Sequence, residues 1–389
     1  MKIKRLLTLP LFFLVILTAN AQLPIMMYHA HPNFGFSEAS FTNHMDLLSN
    51  NDYHTITMDR FYDWMVDDHP LPIRPIVLSF DDNYIRVYTI AYPVMKSRGL
   101  AGINFAHSDY VGVGGTNDHC DWVEICEMES DGVFLTESHT KTHPHLTSLP
   151  DIQATEEIEG SKSAIDSNIP GKICRHIAYP YGDYNPTIIS KCQNAGYITG
   201  VTTINGFNYR ESTPLFELRR IAVGGESVAT FQSLIGFNEL PPAPPGEGWT
   251  IDNGQVNFTA DSSEWPNSNS IAGYYGSNYQ YHPPGDGASK ARWAAYLPKA
   301  GRYRIHARWT ANPNRAISAR YAVHHDSGIT TVTVNQQENG GQWNLLGEFD
   351  FSLEKPAMVF LPDDPGGYVI ADGLWFEPFE SRVNGWTLY

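Results

Sequence analysis

Two short stretches carry the residues best suited to hydrolytic chemistry. Ser79-Phe80-Asp81-Asp82 closes the apolar run Pro75-Ile76-Val77-Leu78, which reads as a buried strand. Two adjacent carboxylates at such a strand end are costly to bury unless a cation or hydrogen-bond donors meet them. His139-Thr140-Lys141-Thr142-His143-Pro144 closes a second strand-like run, Val133-Phe134-Leu135-Thr136. His139 and His143 are four residues apart, so one turn places both imidazoles on one side. Pro144 limits any helix there and favours a loop. A carboxylate and two imidazoles are ordinary ligands of a catalytic zinc that keeps a position for water. The second carboxylate is then free to act as a base on a water whose pKa the metal lowers. Each motif alone has a plain explanation: an Asp pair after a strand often caps a helix, and a His pair can be a surface accident. Their joint occurrence at two strand ends points to a one-metal site. His145 faces away from such a His pair and reads as structural.

The elements that would position these residues alternate along the chain. Strands are expected at 24–29, 53–58, 75–81, 101–107, 133–139, 173–180, 197–203 and 217–223. Helices are expected at 37–50, 59–66, 83–98 with a kink at Pro93, 122–129, 150–166 and 186–194. This alternation suits βαβ units and a largely parallel sheet. His29, Asp81, Asp82, His139 and Tyr181 all fall at strand C-terminal ends, the edge where catalytic groups collect in α/β barrels. Pro241-Pro242-Ala243-Pro244-Pro245-Gly246 reads as a stiff linker. Beyond it the chain has short β-rich runs separated by Gly, Asn and Pro turns, as expected of an antiparallel sandwich. The organisation expected is a signal peptide at 1–21, a catalytic domain at 22–240, a linker at 241–248 and a β-sandwich at 249–389.

The 389 residues carry a formal charge of -16, which argues against a nucleic-acid surface and leaves a neutral polysaccharide open. Lys2, Lys4 and Arg5, the apolar stretch Leu6–Leu17 and Ala19-Asn20-Ala21 have the order of a cleaved signal peptide. No later run is long and apolar enough for a membrane helix, so a secreted or periplasmic protein is expected. An even count of four cysteines in an exported chain favours disulfides. The local pairing Cys120–Cys126 with Cys174–Cys192 is one of three connectivities.

The two motifs resemble the first and second motifs of the polysaccharide deacetylases, carbohydrate esterase family 4, whose domain is shared with nodulation-protein deacetylases. Ala178-Tyr179-Pro180-Tyr181-Gly182 resembles the third. The likeness runs from about residue 24 to 223 and includes Trp122 and Leu218-Arg219-Arg220-Ile221. It implies a distorted (β/α)7 barrel, with Asp81 as base and Asp82, His139 and His143 as ligands of a divalent metal. Zinc suits that set, and cobalt or nickel could serve. It also implies a Tyr181 backbone N–H that helps bind an oxyanion. Two departures stand out. Where many members carry an arginine in the third motif this chain has Ala178, and Arg220 is the candidate substitute. No His lies between His176 and His282, so the usual general acid is missing. Met26-Met27-Tyr28-His29 resembles the start of the branch acting on poly-β-1,6-N-acetylglucosamine, where this His is the acid; His31 is a weaker candidate.

The C-terminal module resembles the golvesin-type domain found with xanthan lyases, through Ile251-Asp252-Asn253-Gly254, Gly341-Gln342-Trp343-Asn344 and Gly366-Gly367-Tyr368-Val369 among other stretches. Trp265, Tyr274 and Tyr275 are the candidates for exposed rings that stack on sugar, because Pro, Gly, Ser and Asn surround them. The function expected is metal-dependent removal of acetyl groups from a polysaccharide, first of all N-acetyl groups of an amino-sugar polymer. The alternatives are an O-acetyl esterase on xylan or an exopolysaccharide, and a silent carbohydrate-binding barrel.

Overall fold

The computed structural model describes residues 22–114, 118–237, 245–261 and 263–379; the expected signal peptide and residues 241–244 of the linker lie outside them. Seven parallel strands follow one another across the N-terminal sheet, with the short strand His54–Thr55 pairing beside the second as an eighth: β1 (Ile25–His29), β2 (Pro75–Asp81), β3 (Gly102–Ala106), β4 (Phe134–Ser138), β5 (His176–Ala178), β6 (Thr199–Val201) and β7 (Ile221–Val223). Their spatial order is β7-β1-β2-β3-β4-β5-β6. A parallel bridge between Val201 and Leu218 draws the far edge toward the segment that leads into β7, and the sheet curls into the distorted barrel that the resemblance implies.

Strand parity decides what enters the barrel. Along β2, Ile76, Leu78 and Phe80 face outward into the core beneath the helices. There Phe80 stacks on Tyr28 at 5.1 Å and meets Phe134 edge-on at 5.0 Å. The alternate position Val77 joins Ile25, Ile103, Phe105, Ala178, Val201 and Leu218 in an inner core. By the same parity Ser79 and Asp81 point inward above Val77. His29 is the register partner of Asp81, and Leu135, Glu137 and His139 share the inward parity of β4.

Helices α1 (Glu38–Asn50), α2 (Met58–Asp67), α3 (Tyr92–Lys96), α4 (Trp122–Ser130), α5 (Asp151–Asn168), α6 (Pro186–Asn194) and α7 (Val228–Leu234) link or flank the strands. Three depart from expectation: α7 was not expected, and two others differ in form. Asp82 and Asn83 form a tight turn, and the first regular helix there is a π-helical turn at Val87–Ala91 running into α3. Pro93 lacks the N–H that an unbroken helix would need. Thr57 caps α2 by accepting from Arg60 N–H at 3.1 Å, so the strand expected over 53–58 shrinks to His54–Thr55. The expected disulfides are absent: all four cysteines are free. Cys120 Sγ faces Tyr84 O at 3.5 Å, whereas Cys126 Sγ, on α4, faces Asn168 O at 3.4 Å.

Residues 245–379 hold strands and, among the described residues, no helix. A four-stranded antiparallel sheet contains β8 (Trp249–Ile251), β10 (Gly301–Ala307), β13 (Asn344–Phe351) and β15 (Leu374–Pro378). A second contains β9 (Lys290–Tyr296), β11 (Ala319–His325), β12 (Gly328–Val334) and β14 (Ala357–Pro362). The expected exposure of the sugar-stacking candidates is overturned. Trp265 is fully buried and donates to Ser289 Oγ at 2.9 Å. Tyr275 is buried with its hydroxyl on Thr250, and Tyr274 is half-buried. A large ring in a Gly/Ser-rich stretch fills the core beneath its own turn.

The stretch after α2 ties the two cores together. Leu71–Pro72 pairs in parallel with Ala295–Tyr296 of β9, and Ile73 enters the sandwich core. Asp68 takes ion pairs from Arg210 and Arg292. The Asn257 amide donates to the carbonyls of Leu71 at 2.9 Å, Pro72 at 3.3 Å and Ala294 at 3.2 Å. Asn257→Ala strands these buried acceptors, and a loss of about 1–3 kcal/mol is expected. It would be read as a lower urea midpoint for the C-terminal transition at unchanged slope; an unchanged midpoint would show that the amide carries no weight there.

Candidate active site

Both motifs meet at the open end of the barrel. Asp82 Oδ1 lies 3.6 Å from His139 Nε2 and 3.6 Å from His143 Nε2. The ligand atoms of Asp82, His139 and His143 all lie within 4.8 Å of one another. Asp81 Oδ2 is 3.9 Å from His139 Nε2. His29, Asp81, Asp82, His139, His143 and Tyr181 line one open cavity of about 470 Å³.

Strained backbone delivers the groups. Nine non-glycine residues among those described have positive φ, and five belong to this site: Asp82 (75°), Asn83 (55°), Thr140 (67°), His143 (60°) and Tyr181 (59°). Such conformations cost about 1–3 kcal/mol each and persist only where neighbours over-determine them. Here they do. The Asn83 side chain donates to Cys120 O at 3.0 Å and accepts from Asn104 at 2.8 Å. Thr140 N–H donates to Ser138 Oγ at 3.1 Å, and His143 N–H to Thr140 Oγ1 at 3.2 Å. Glu157 of α5 takes the N–H groups of Lys141 and Thr142 at 2.9 and 2.8 Å. Gly160 leaves room for Lys141, since a Cβ there would meet Lys141 Cδ at 2.6 Å.

Arg220, expected to replace the missing third-motif arginine, precedes β7 and lies buried inside the barrel. It donates from Nη1 to Asp81 Oδ1 at 2.6 Å, from Nη2 to Asp81 Oδ2 at 2.7 Å, and from Nε to Thr202 O at 2.9 Å. Burial alone would push the Asp81 carboxyl up; the bidentate guanidinium outweighs it and holds the acid well below the ordinary carboxylate range. Asp82 goes the other way. Burial, then the Asp81 charge, push it up to about 7. Burial lowers His139 to about 3 and also lowers His143 and His29, with the Asp81 charge opposing each shift.

The donor set fits a cation. His139 Nδ1 is 2.8 Å from the Ala178 carbonyl; a carbonyl only accepts, so Nδ1 carries the proton and Nε2 turns a lone pair to the cavity. That lone pair faces Asp82 Oδ1, and two acceptors at 3.6 Å call for a positive charge between them.

His29 stands at the β1 end of the cavity wall and Tyr181 at the β5 end, while His31 stacks on Phe34 at 3.8 Å. His145 stacks on Tyr181 at 4.1 Å. Three further lining residues were not singled out in the sequence. His107 follows β3, Tyr84 hydrogen-bonds the Asp82 carboxylate, and Phe34 is 57% exposed at the rim. A lone His after a strand of small and apolar residues is the weakest of these cues, although its strand-end position was readable.

Removing Arg220 leaves Asp81 buried and uncompensated. Arg220→Ala is expected to cost about 3–5 kcal/mol and Arg220→Lys less, because an ammonium restores the charge without the two-pronged geometry. Urea denaturation checks the order; equal losses would deny the fork any role.

Comparison with known proteins agrees with this arrangement. The family profile for Polysaccharide deacetylase matches residues 68–200, and that for the Golvesin C-terminal domain matches 249–378. The YxkH protein of Bacillus subtilis, named for the polysaccharide deacetylases, is 31% identical over 219 residues, covering 55% of this chain and 76% of its own. Poly-beta-1,6-N-acetyl-D-glucosamine N-deacetylase of Staphylococcus epidermidis is 26% identical, covering 53% of this chain and 74% of its own. Xanthan lyase of a Bacillus species is 30% identical over 164 residues, 40% of this chain but 17% of that enzyme. With the Asp pair, the two histidines and the curled parallel sheet that presents them, these matches identify the chain as a member of the polysaccharide deacetylase family.

Proposed function

We propose that the protein is an exported enzyme that removes N-acetyl groups from an amino-sugar polymer, with a divalent ion, zinc first, held by Asp82, His139 and His143. The observation that carries this is the division of labour in the Asp pair, one acid clamped by Arg220 and the other 3.6 Å from Nε2 of both His139 and His143. The similarity to a poly-β-1,6-N-acetylglucosamine N-deacetylase supports the amide substrate, as does a histidine at the end of β1. The order of residues 2–21 supports export.

The ion, held by Asp82, His139 and His143, would supply a Lewis acid for an acetyl carbonyl and for a water. Asp81 is the base that accepts the proton of the attacking water. A carboxylate held so far down is a weak base, so it serves only where the water is already acidified. Arg220 keeps it ionised and fixes its direction. The Tyr181 backbone N–H supports the oxyanion. His29 rests neutral, and the Asp81 charge beside it favours the imidazolium that hands a proton to the leaving sugar nitrogen.

The test is acetate release from acetylated polymers, with and without chelator. N-acetylglucosamine polymers are expected to yield acetate that chelation abolishes and zinc restores. Release only from O-acetylated xylan or exopolysaccharide would move the reading to an ester hydrolase, and release from neither to a silent barrel. Asp81→Asn is expected to keep its zinc and lose at least about a hundredfold in turnover; normal turnover would remove Asp81 from the base role.

Ion binding has its own pH signature. His139 and His143 are lowered and already neutral near pH 7, but Asp82, raised to about 7, must lose a proton to accept a cation. Zinc affinity is therefore expected to weaken about tenfold per pH unit below about 7 and to level off above it. Competition with a chelating dye would follow this, and a flat profile between about pH 5.5 and 8 would contradict it.

A further inference from the structure

Two imidazoles that line the cavity, His107 and His119, have no task in the reading above, and His107 is the one that reaches Asp82. His107 is 5% exposed and directly follows β3. Its Nε2 lies 3.7 Å from Asp82 Oδ1, almost the same approach as the 3.6 Å of His139 and of His143. That separation is too long for a hydrogen bond. Its Nδ1 is buried with no partner. Neither nitrogen of this buried ring is therefore hydrogen-bonded, in a protein where buried polar groups are ordinarily satisfied. The ring is held by edge-on contacts with Tyr110 at 4.7 Å and His119 at 5.0 Å.

Three imidazole nitrogens thus converge on one carboxylate oxygen. The mutually close trio is Asp82, His139 and His143, and His107 meets it through Asp82. We propose that His107 is a third imidazole ligand of the ion, drawn in when the ion binds; this rests on the ligand set assigned above. A set of three imidazoles and one carboxylate favours zinc, cobalt or nickel over magnesium or manganese. It also requires the ion to expand to five-coordination if a water is to bind as well.

The probe is zinc alone on the full chain, stripped by chelator and reloaded with one equivalent. X-ray absorption at the zinc edge is expected to count three imidazoles in the unchanged protein and two in His107→Phe, with zinc affinity at least about tenfold lower in that variant. The count in the unchanged protein needs no variant to fold. A count of two there overturns the proposal while leaving Asp82, His139 and His143 intact. A count of three that His107→Phe does not lower, in a variant whose zinc-free melting temperature is unchanged, also overturns it. If His139→Ala left the count unchanged, the underlying ligand set would fall instead, and failure of the protein to hold zinc would remove both.

Discussion

The buried pair between Asp81 and Arg220 is the interaction on which the rest of the barrel depends. Neither group could enter the barrel alone, because an unpaired charge there would neutralise or unfold the site. Together they make two short charge-assisted bonds in a fork. The pair also has an architectural consequence. Asp81 ends β2 in the middle of the sheet, whereas Arg220 stands just before β7, on the segment bridged to β6. Fixing one to the other, with Nε on Thr202 O and Nη1 near Ser79 Oγ, ties the closing seam to β2. The same contact that sets the charge of Asp81 closes the barrel around it.

Around this pair the site is built from conformations that the chain would not adopt unaided. Turns at Asp82-Asn83, Thr140, His143 and Tyr181 all hold residues in the left-handed region. The Asp82-Asn83 turn and the loop from Thr140 to His143 are restrained from different elements: Asn104 on β3, Ser138 on β4 and Glu157 on α5. The strain is distributed so that no one element bears it.

The strand-end motifs were legible because they combine chemistry with position: acids and imidazoles after apolar runs. Arg220 was legible through the resemblance, which implies an arginine where this chain has Ala178. Less legible was whatever depends on neighbours distant in sequence. His107 draws meaning only from Asp82, on the adjacent strand. Trp265 looked exposed because Gly, Ser and Asn mark its turn, yet those small residues are what let the ring fold back over the sandwich core. The cysteines looked paired because the chain looks exported, but Cys120 precedes α4 while Cys126 turns from that helix toward α5. The π-helical turn before Pro93 has no periodicity that a sequence pattern would separate from an ordinary helix.

Adjacent acids with opposite basicity remain the central physical result. Asp81 and Asp82 share burial, sequence context and a common cavity, so composition cannot tell them apart. Backbone geometry can. Asp81 is the last extended residue of β2, and parity aims it inward at Arg220. Asp82 turns to φ 75°, leaves the strand plane, and meets the imidazoles of His139 and His143 and the Tyr84 hydroxyl in place of a guanidinium. The first is ionised because its partner is built into the fold. The second is raised because burial, and then the charge on Asp81, are not offset by a guanidinium paired to it. The same burial and the same neighbouring charge that raise Asp82 are what a cation held beside it would relieve.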